Sequence, residues 1–287
     1  MKPDKKAFLE LLLAGFLFSF MGVFGRLVSQ SMGTFLQAFI RMVFMLILFF
    51  IIGYSKKIFI KIDKKDLPLM LFRGIFIITD FYFFIYAVSN LPLGVVMFAY
   101  YTFCVITSYI YGSMFLKEKL NTTKIISLSL AIIGLYVMNK TSFGSIKLLP
   151  LLASFISGIC FGLNMSTSKK LTTKYNVIQL SIVSYLLPFF IAIPLVFITH
   201  EIIPPTIEPI VFGQLFVFAL FLVGAVYFTL IGFKKIEAQK ASIIMLSELI
   251  FVMILGFFLY QEIPTISTIF GGILILTALI LPNIYQA

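Results

Sequence analysis

Three ionisable residues, Arg41, Asp80 and Glu248, stand inside long apolar runs of a 287-residue chain in which only 11% of residues are charged. A charged side chain at the centre of a bilayer costs about 2.5–3.5 kcal/mol or more, so each requires a partner or a task. Arg41 suits an anchor for an anion or carboxylate, because the planar guanidinium matches a carboxylate in a bidentate fork. Asp80 suits its counter-ion or a proton acceptor. The two lie about seven and about nine residues from the same end of successive spans, so at about 1.5 Å per residue their depths nearly match. They can equally form a permanent ion pair that fixes helix packing. Glu248 has no basic residue in its own run. It is the best single proton-coupling residue, alongside a plainer reading as a hydrogen-bonded carboxyl tying its helix to a neighbour.

Around these charges, Tyr82, Tyr86, Tyr101, Thr102, Asn164, Tyr227 and Ser247 fall in the same runs and sketch the wall of a polar cavity for a small molecule. Interhelical hydrogen bonding explains such residues as readily as a ligand does. Arg26 and Arg73 sit within a turn or two of the span ends, where arginine can snorkel to headgroups, and are read as anchors. Cys104 and Cys160 read as small core residues, and His200 has no second histidine or cysteine near it, so neither a disulfide nor a metal site is expected. The 35 phenylalanines and 13 tyrosines are ordinary filling for lipid-facing helices and name no ligand.

The elements that position these residues follow from composition. With 61% hydrophobic residues and a mean hydropathy of +1.11, the chain has too little polar surface to cover a soluble globule. Ten apolar runs can be read: 7–28, 34–53, 68–89, 93–115, 122–139, 148–168, 177–198, 210–233, 241–260 and 264–283. The first mimics a secretory signal but is too long for one and lacks a cleavage site, so it is read as a span. Pro188 and Pro194 fall inside the seventh run and predict a bent helix. The charge of +11 is scattered between runs, which argues against a nucleic-acid partner. With the N-terminus in the cytoplasm, 18 lysines and arginines fall on the cytoplasmic side and only Lys140 and Lys147 opposite, with Arg26 and Arg41 left inside spans. Both termini are then cytoplasmic.

The halves repeat. FLKEKLNTTKIISLSLAIIGLYVM answers FLYQEIPTISTIFGGILILTALIL and aligns Glu118 with Glu262, and FYFFIYAV around Tyr82 answers VYFTLIGF around Tyr227. Five spans is an odd number, so the second copy enters the membrane from the other side. The expectation is an all-α transmembrane fold of two inverted five-helix repeats, residues 1–140 and 147–287, with a site between them.

FMGV at Gly22, CFGL at Gly162, FIRM at Arg41, LFRG at Arg73, LKEKL and YQEIP stand in an order and spacing that resemble the EamA family of the drug/metabolite transporter superfamily, over nearly the whole chain. The resemblance implies a multi-pass carrier of the plasma membrane, the inner membrane of a bacterium. Its cargo would be a small organic solute such as an amino acid, a nucleotide-like metabolite or a drug. Asn164 stands where the family often has a polar residue just after its first-helix glycine. Family members usually carry a proline in the fourth helix of each half. Val105 and Leu249 stand there in this chain, which removes the reason to expect a helix break.

The expected function is a secondary carrier working by alternating access, by exchange or with proton coupling through Glu248 or Asp80; a passive channel or facilitator is the alternative. No Gly-x-x-x-x-Gly-Lys-Ser/Thr loop is present, so neither direct use of ATP nor another cofactor is expected. An intramembrane enzyme would need a nucleophile with its base, or paired acids at one depth, and neither is found. The expected partners are the bilayer and a small molecule, with monomer and homodimer both open.

Overall fold

Lipid offers no hydrogen bonds to a bare backbone, so apolar runs of this length must close their own as helices. The computed structural model describes residues 3–143, 147–201 and 203–284, which leaves Lys2 of the charge count outside it. Among the described residues there are helices and no strands. The first five crossings are α1 (Pro3–Ser29), α2 (Thr34–Ser55), α3 (Leu67–Val88), α4 (Leu93–Phe115) and α5 (Thr122–Asn139). Then come α6 (Leu148–Thr172), α7 (Val177–Ile198), α8 (Pro209–Lys235), α9 (Ala238–Met245), α10 (Ser247–Tyr260) and α11 (Ile266–Ile284).

Counting α9 and α10 as one rod, nine helices among the described residues are long and apolar enough to cross a membrane, and α11 is a shorter apolar helix. Pro68 and Pro150 sit in first turns of α3 and α6, where a missing N–H is tolerated. Asn121 and Asn176 cap α5 and α7, each accepting a backbone N–H at 2.9 Å. The start of α2 is capped from afar: the Glu201 carboxylate accepts the N–H groups of Phe35 and Leu36 at 2.8 and 2.9 Å. Helix α7 runs through both Pro188 and Pro194 without a break.

Packing joins the two matching sets of helices more than it joins neighbours in sequence. Helix α1 lies on α8, α3 on α6, α2 on α7 and α5 on α11; α4 packs on α6 as α10 packs on α1. With lipid as apolar as leucine, close backbone approach has to supply the attraction. Gly158 and Gly162, four residues apart on α6, supply it against α4: a Cβ at Gly158 would meet the Tyr100 carbonyl oxygen at 2.2 Å, and one at Gly162 the Cys104 carbonyl oxygen at 2.6 Å. Gly134 and Gly271 do the same between α5 and α11.

At one end of the molecule the segment before α3 is clasped to the α6–α7 connection. Lys174 pairs with Asp63 and, at 2.8 Å, with Asp66, which also accepts the Tyr175 hydroxyl at 2.7 Å. The Lys174 and then the Tyr175 bond hold the Asp66 carboxyl below the ordinary carboxylate range. This clasp is therefore at full strength above the ordinary carboxylate pKa and weakens as pH falls through the lowered one.

Because the atoms facing Gly158 are backbone and cannot turn aside, Gly158→Ala is expected to destabilise the protein by about 1–3 kcal/mol. The measurement is the melting temperature of purified protein in detergent. An equal addition at Gly22, which has no neighbour within 4 Å, leaves it unchanged.

Candidate functional site

The ninth crossing is interrupted at Leu246, between α9 and α10. The Leu246 N–H bonds the Ile243 carbonyl at 3.0 Å and the Leu249 N–H bonds the Leu246 carbonyl at 3.1 Å, so the helix tightens to i→i+3 bonds without any proline. The equivalent α4 runs unbroken past Val105. Ser247 and Glu248 open α10 at this point. Gly15 of α1 lies against them: a Cβ there would meet Ser247 Oγ at 2.5 Å and the Glu248 backbone nitrogen at 3.1 Å. The Glu248 carboxyl lies within hydrogen-bonding reach of the Tyr101 hydroxyl on α4. Ser247 and Thr102 are buried and their hydroxyls have no partner.

Arg41 and Asp80 do not pair. The Arg41 guanidinium lies 4.4 Å over the Phe218 ring on α8, and its buried Nε has no partner. Asp80 instead accepts the Ser157 hydroxyl of α6 at 2.6 Å. Matching depth was insufficient because α2 packs on α7 and α8 while α3 packs on α6 and α7, so the two side chains leave their helices in different directions. Helices α2 and α3 meet where Phe35, at the start of α2, touches Phe81 and Tyr82 of α3.

Arg73 does not snorkel. It is 2% exposed, and its Nε donates to both the carbonyl and the side-chain oxygen of Asn164 at 3.2 Å. Arg26 is exposed, as an anchor would be, and pairs with Glu262 at 2.7 Å over the Tyr260 ring. Of the remaining wall residues, Tyr101 and Asn164 are buried, Tyr227 is partly buried against Phe228, and Tyr82 and Tyr86 are exposed on α3.

A polar cluster that charge counting missed lies at the N-terminal end of α9. Glu118 Oε1 accepts Lys169 Nζ at 2.9 Å and the Ala238 N–H at 2.8 Å, while Oε2 accepts the Gln239 N–H at 3.2 Å. A carboxylate here satisfies the orphan donors of a helix start and meets its positive dipole end. Lys169 also donates to the Ile236 carbonyl at 2.7 Å, and buried Lys124 bonds the Gln239 side chain at 2.8 Å and Glu237 at 3.0 Å. The signal in the sequence was the alignment of Glu118 with Glu262.

The local geometry repeats at that pair. Lys117 and Gln261 both adopt left-handed backbone, φ 55° and 56°, and the following glutamates bond the carbonyls of Gly112 and Gly256 at 2.9 and 3.1 Å. Each glutamate then receives a cation near the C-terminal end of the other repeat's first helix: Lys169 on α6 for Glu118, Arg26 on α1 for Glu262. Glu118 lies at the start of α9 and Glu262 beyond the end of α10, so the 23-residue rod from Ala238 to Tyr260 separates them, about 34 Å at 1.5 Å per residue. The two pairs differ in burial: the Glu118 and Lys169 side chains are 5% and 23% exposed, against 55% for both Arg26 and Glu262.

Comparison with known proteins agrees with this architecture. A solved crystal structure superposes with a TM-score of 0.80 over 98% of this chain and 99% of that one at 12% identity, which is a likeness of fold alone. An uncharacterized transporter of Archaeoglobus fulgidus is 25% identical over 228 residues, 75% of this chain and 77% of that protein. The profile of the EamA-like transporter family matches twice, over residues 5–140 and 148–284. Two tandem copies of one helical unit, meeting around buried charges within a multi-pass membrane protein, place the chain in the EamA-like transporter family.

Proposed function

We propose that this transporter is a secondary active carrier of a small organic metabolite that works by alternating access between two inverted five-helix repeats, residues 1–140 and 147–287. Its cargo site lies around Arg41, Asp80, Tyr101, Thr102, Asn164, Ser247 and Glu248, with Tyr82, Tyr86 and Tyr227 lining the approach. The carrying observation is the pair of like ion pairs at opposite ends of the α9–α10 rod, one buried and one exposed. Two equivalent latches, one buried and one open to solvent, are what a rocking pair of repeats requires. The asymmetry extends along the rod: α9, at the Glu118 end, is buried almost throughout, whereas beyond Ile250 α10 buries only Gly256 among its described residues. We assign the buried latch to the cytoplasmic face of a bacterial plasma membrane, where the excess of lysine lies, with both termini on that side.

Proton coupling falls to Glu248, a carboxyl at a helix interruption with Tyr101 as its neighbour, and Asp80 is the second acid in reach of the site. Energy comes from a gradient or from exchange. Saturable counterflow in reconstituted vesicles distinguishes this carrier from a passive channel.

Thermal-shift screening against amino acids, nucleosides, S-adenosylmethionine and common drugs supplies a cargo for transport measurements. Glu248→Gln is then expected to abolish uptake driven by a pH gradient while exchange continues; unchanged gradient-driven uptake would remove Glu248 from the coupling role. For the latches, losing a buried charge-assisted bond is worth about 1.5–3 kcal/mol, a shift of about tenfold to a hundredfold in the closed–open equilibrium. Glu118→Gln is expected to raise the labelling rate of a cysteine placed at Ser242 by an impermeant thiol reagent by that factor. Glu262→Gln, at an exposed pair worth about 0–1 kcal/mol, changes the rate less than about fivefold.

A further inference from the structure

Two buried guanidinium groups are left without a counter-ion in the interior of this protein. Arg73, 2% exposed, spends its Nε on Asn164 and has a buried Nη1 with no partner. Arg41, 8% exposed, rests on the Phe218 face and has a buried Nε with no partner. Among the described residues, the ion pairs all lie elsewhere and none contains either arginine. The acids within the spans do not neutralise them either. Asp80 is two turns from Arg73 on the same face of α3, and their partners Ser157 and Asn164 are likewise seven residues apart on α6. This ladder holds the Asp80 carboxylate about 10 Å along the helix from Arg73. Glu248 turns to Tyr101.

The two arginines share one neighbourhood. Tyr185 of α7 lies within electrostatic range of Arg41, Arg73 and Asp80 together. Helix α7 is pressed against α3, where a Cβ on Gly74 would meet the Ser184 carbonyl oxygen at 3.1 Å, and against α2, where Phe39 and Phe189 stack at 5.3 Å. Each buried cation without a counter-ion carries an uncompensated desolvation cost, and buried donors without acceptors add to the penalty. A planar carboxylate or a phosphate removes both costs, because each guanidinium presents a fork of donors that fits it.

We propose that Arg73 and Arg41 each hold an anionic group of the cargo, so that the transported solute carries carboxylate or phosphate groups, with Asn164 positioning Arg73. This deepens the carrier reading above and rests on it. A role for Arg73 confined to tying α3 to α6 through Asn164 would give no response to anions.

The test uses the full chain in neutral detergent, with glutarate and pyrophosphate as probes and uncharged glutaramide as control. Either anion at about 10 mM is expected to raise the melting temperature by about 3 °C or more, glutaramide to have no effect, and Arg73→Lys or Arg41→Lys, which keep the charge but lose the fork, to remove most of the rise. No rise with either anion, an equal rise with glutaramide, or a full rise in both variants overturns the proposal. Should a variant not fold, the wild type answers by phenylglyoxal modification. The chain has just three arginines, Arg26, Arg41 and Arg73. Glutarate is expected to slow modification at Arg41 and Arg73 at least fivefold and to spare Arg26. Reaction at Arg73 that glutarate does not change, absence of reaction included, overturns the proposal. Protection by phosphatidylglycerol but not by glutarate assigns the pair to a lipid headgroup and overturns it for the cargo. Labelling at Ser242 reports alternating access independently, so loss of the anion site and loss of the carrier mechanism are told apart.

Discussion

In one corner of the protein, the Glu118 carboxylate takes the first two N–H groups of α9 and the ammonium of Lys169. That contact registers elements of both repeats against one another. It joins the loop after α4 to α6 and to the start of α9, so three elements from both repeats are fixed at one end by a single side chain. Buried charges of this kind are held by all their bonds or not at all, since breaking one partner leaves the others uncompensated in low dielectric. Lys124, with the Gln239 side chain and Glu237 around it, extends the cluster to α5. The interior of the bundle thus closes at this end by polar contact and not by packing alone.

At the far end of the α9–α10 rod the same loop geometry carries a weaker pair, Arg26 with Glu262, in the open. The contrast is energetic. A pair exposed on both sides is worth about 0–1 kcal/mol, whereas breaking the buried one leaves an uncompensated charge in low dielectric and costs more. Between them the Leu246 interruption, the unpartnered hydroxyls of Ser247 and Thr102, and Glu248 give the middle of the rod polar groups that packing has not consumed. Glycine contacts at Gly15 and Gly158 bring α1 and α6 close to these helices.

The buried charges were legible one at a time, but the pairing read for Arg41 and Asp80 did not form. Arg41 and Asp80 share a depth, but rotation about the helix axis decides contact, and each residue turns a helix by about 100°. Arg73 read as an anchor because distance from a span end is visible in a sequence and the neighbour that covers it is not. The Asn164 amide that meets it lies 91 residues away. The latch at Glu118 was half visible, since its alignment with Glu262 marked a repeated element without naming the lysine or the helix start that complete it.

The sequence by itself determined the approximate placement of the apolar runs, the excess of lysine in alternate connections and the repetition of one unit. Each of these follows from a property read along the chain: the run length that lipid demands, the placement of charge between runs, and local likeness at a fixed offset. Only the tertiary structure decided which helices of the two repeats become neighbours, and with that which charges meet. Arg73 went to Asn164, Asp80 to Ser157, and Arg41 to an aromatic face with its donors unspent. Contacts between spans are made across the chain, so the direction in which each helix face points is set by its packing partners and is written in no one segment.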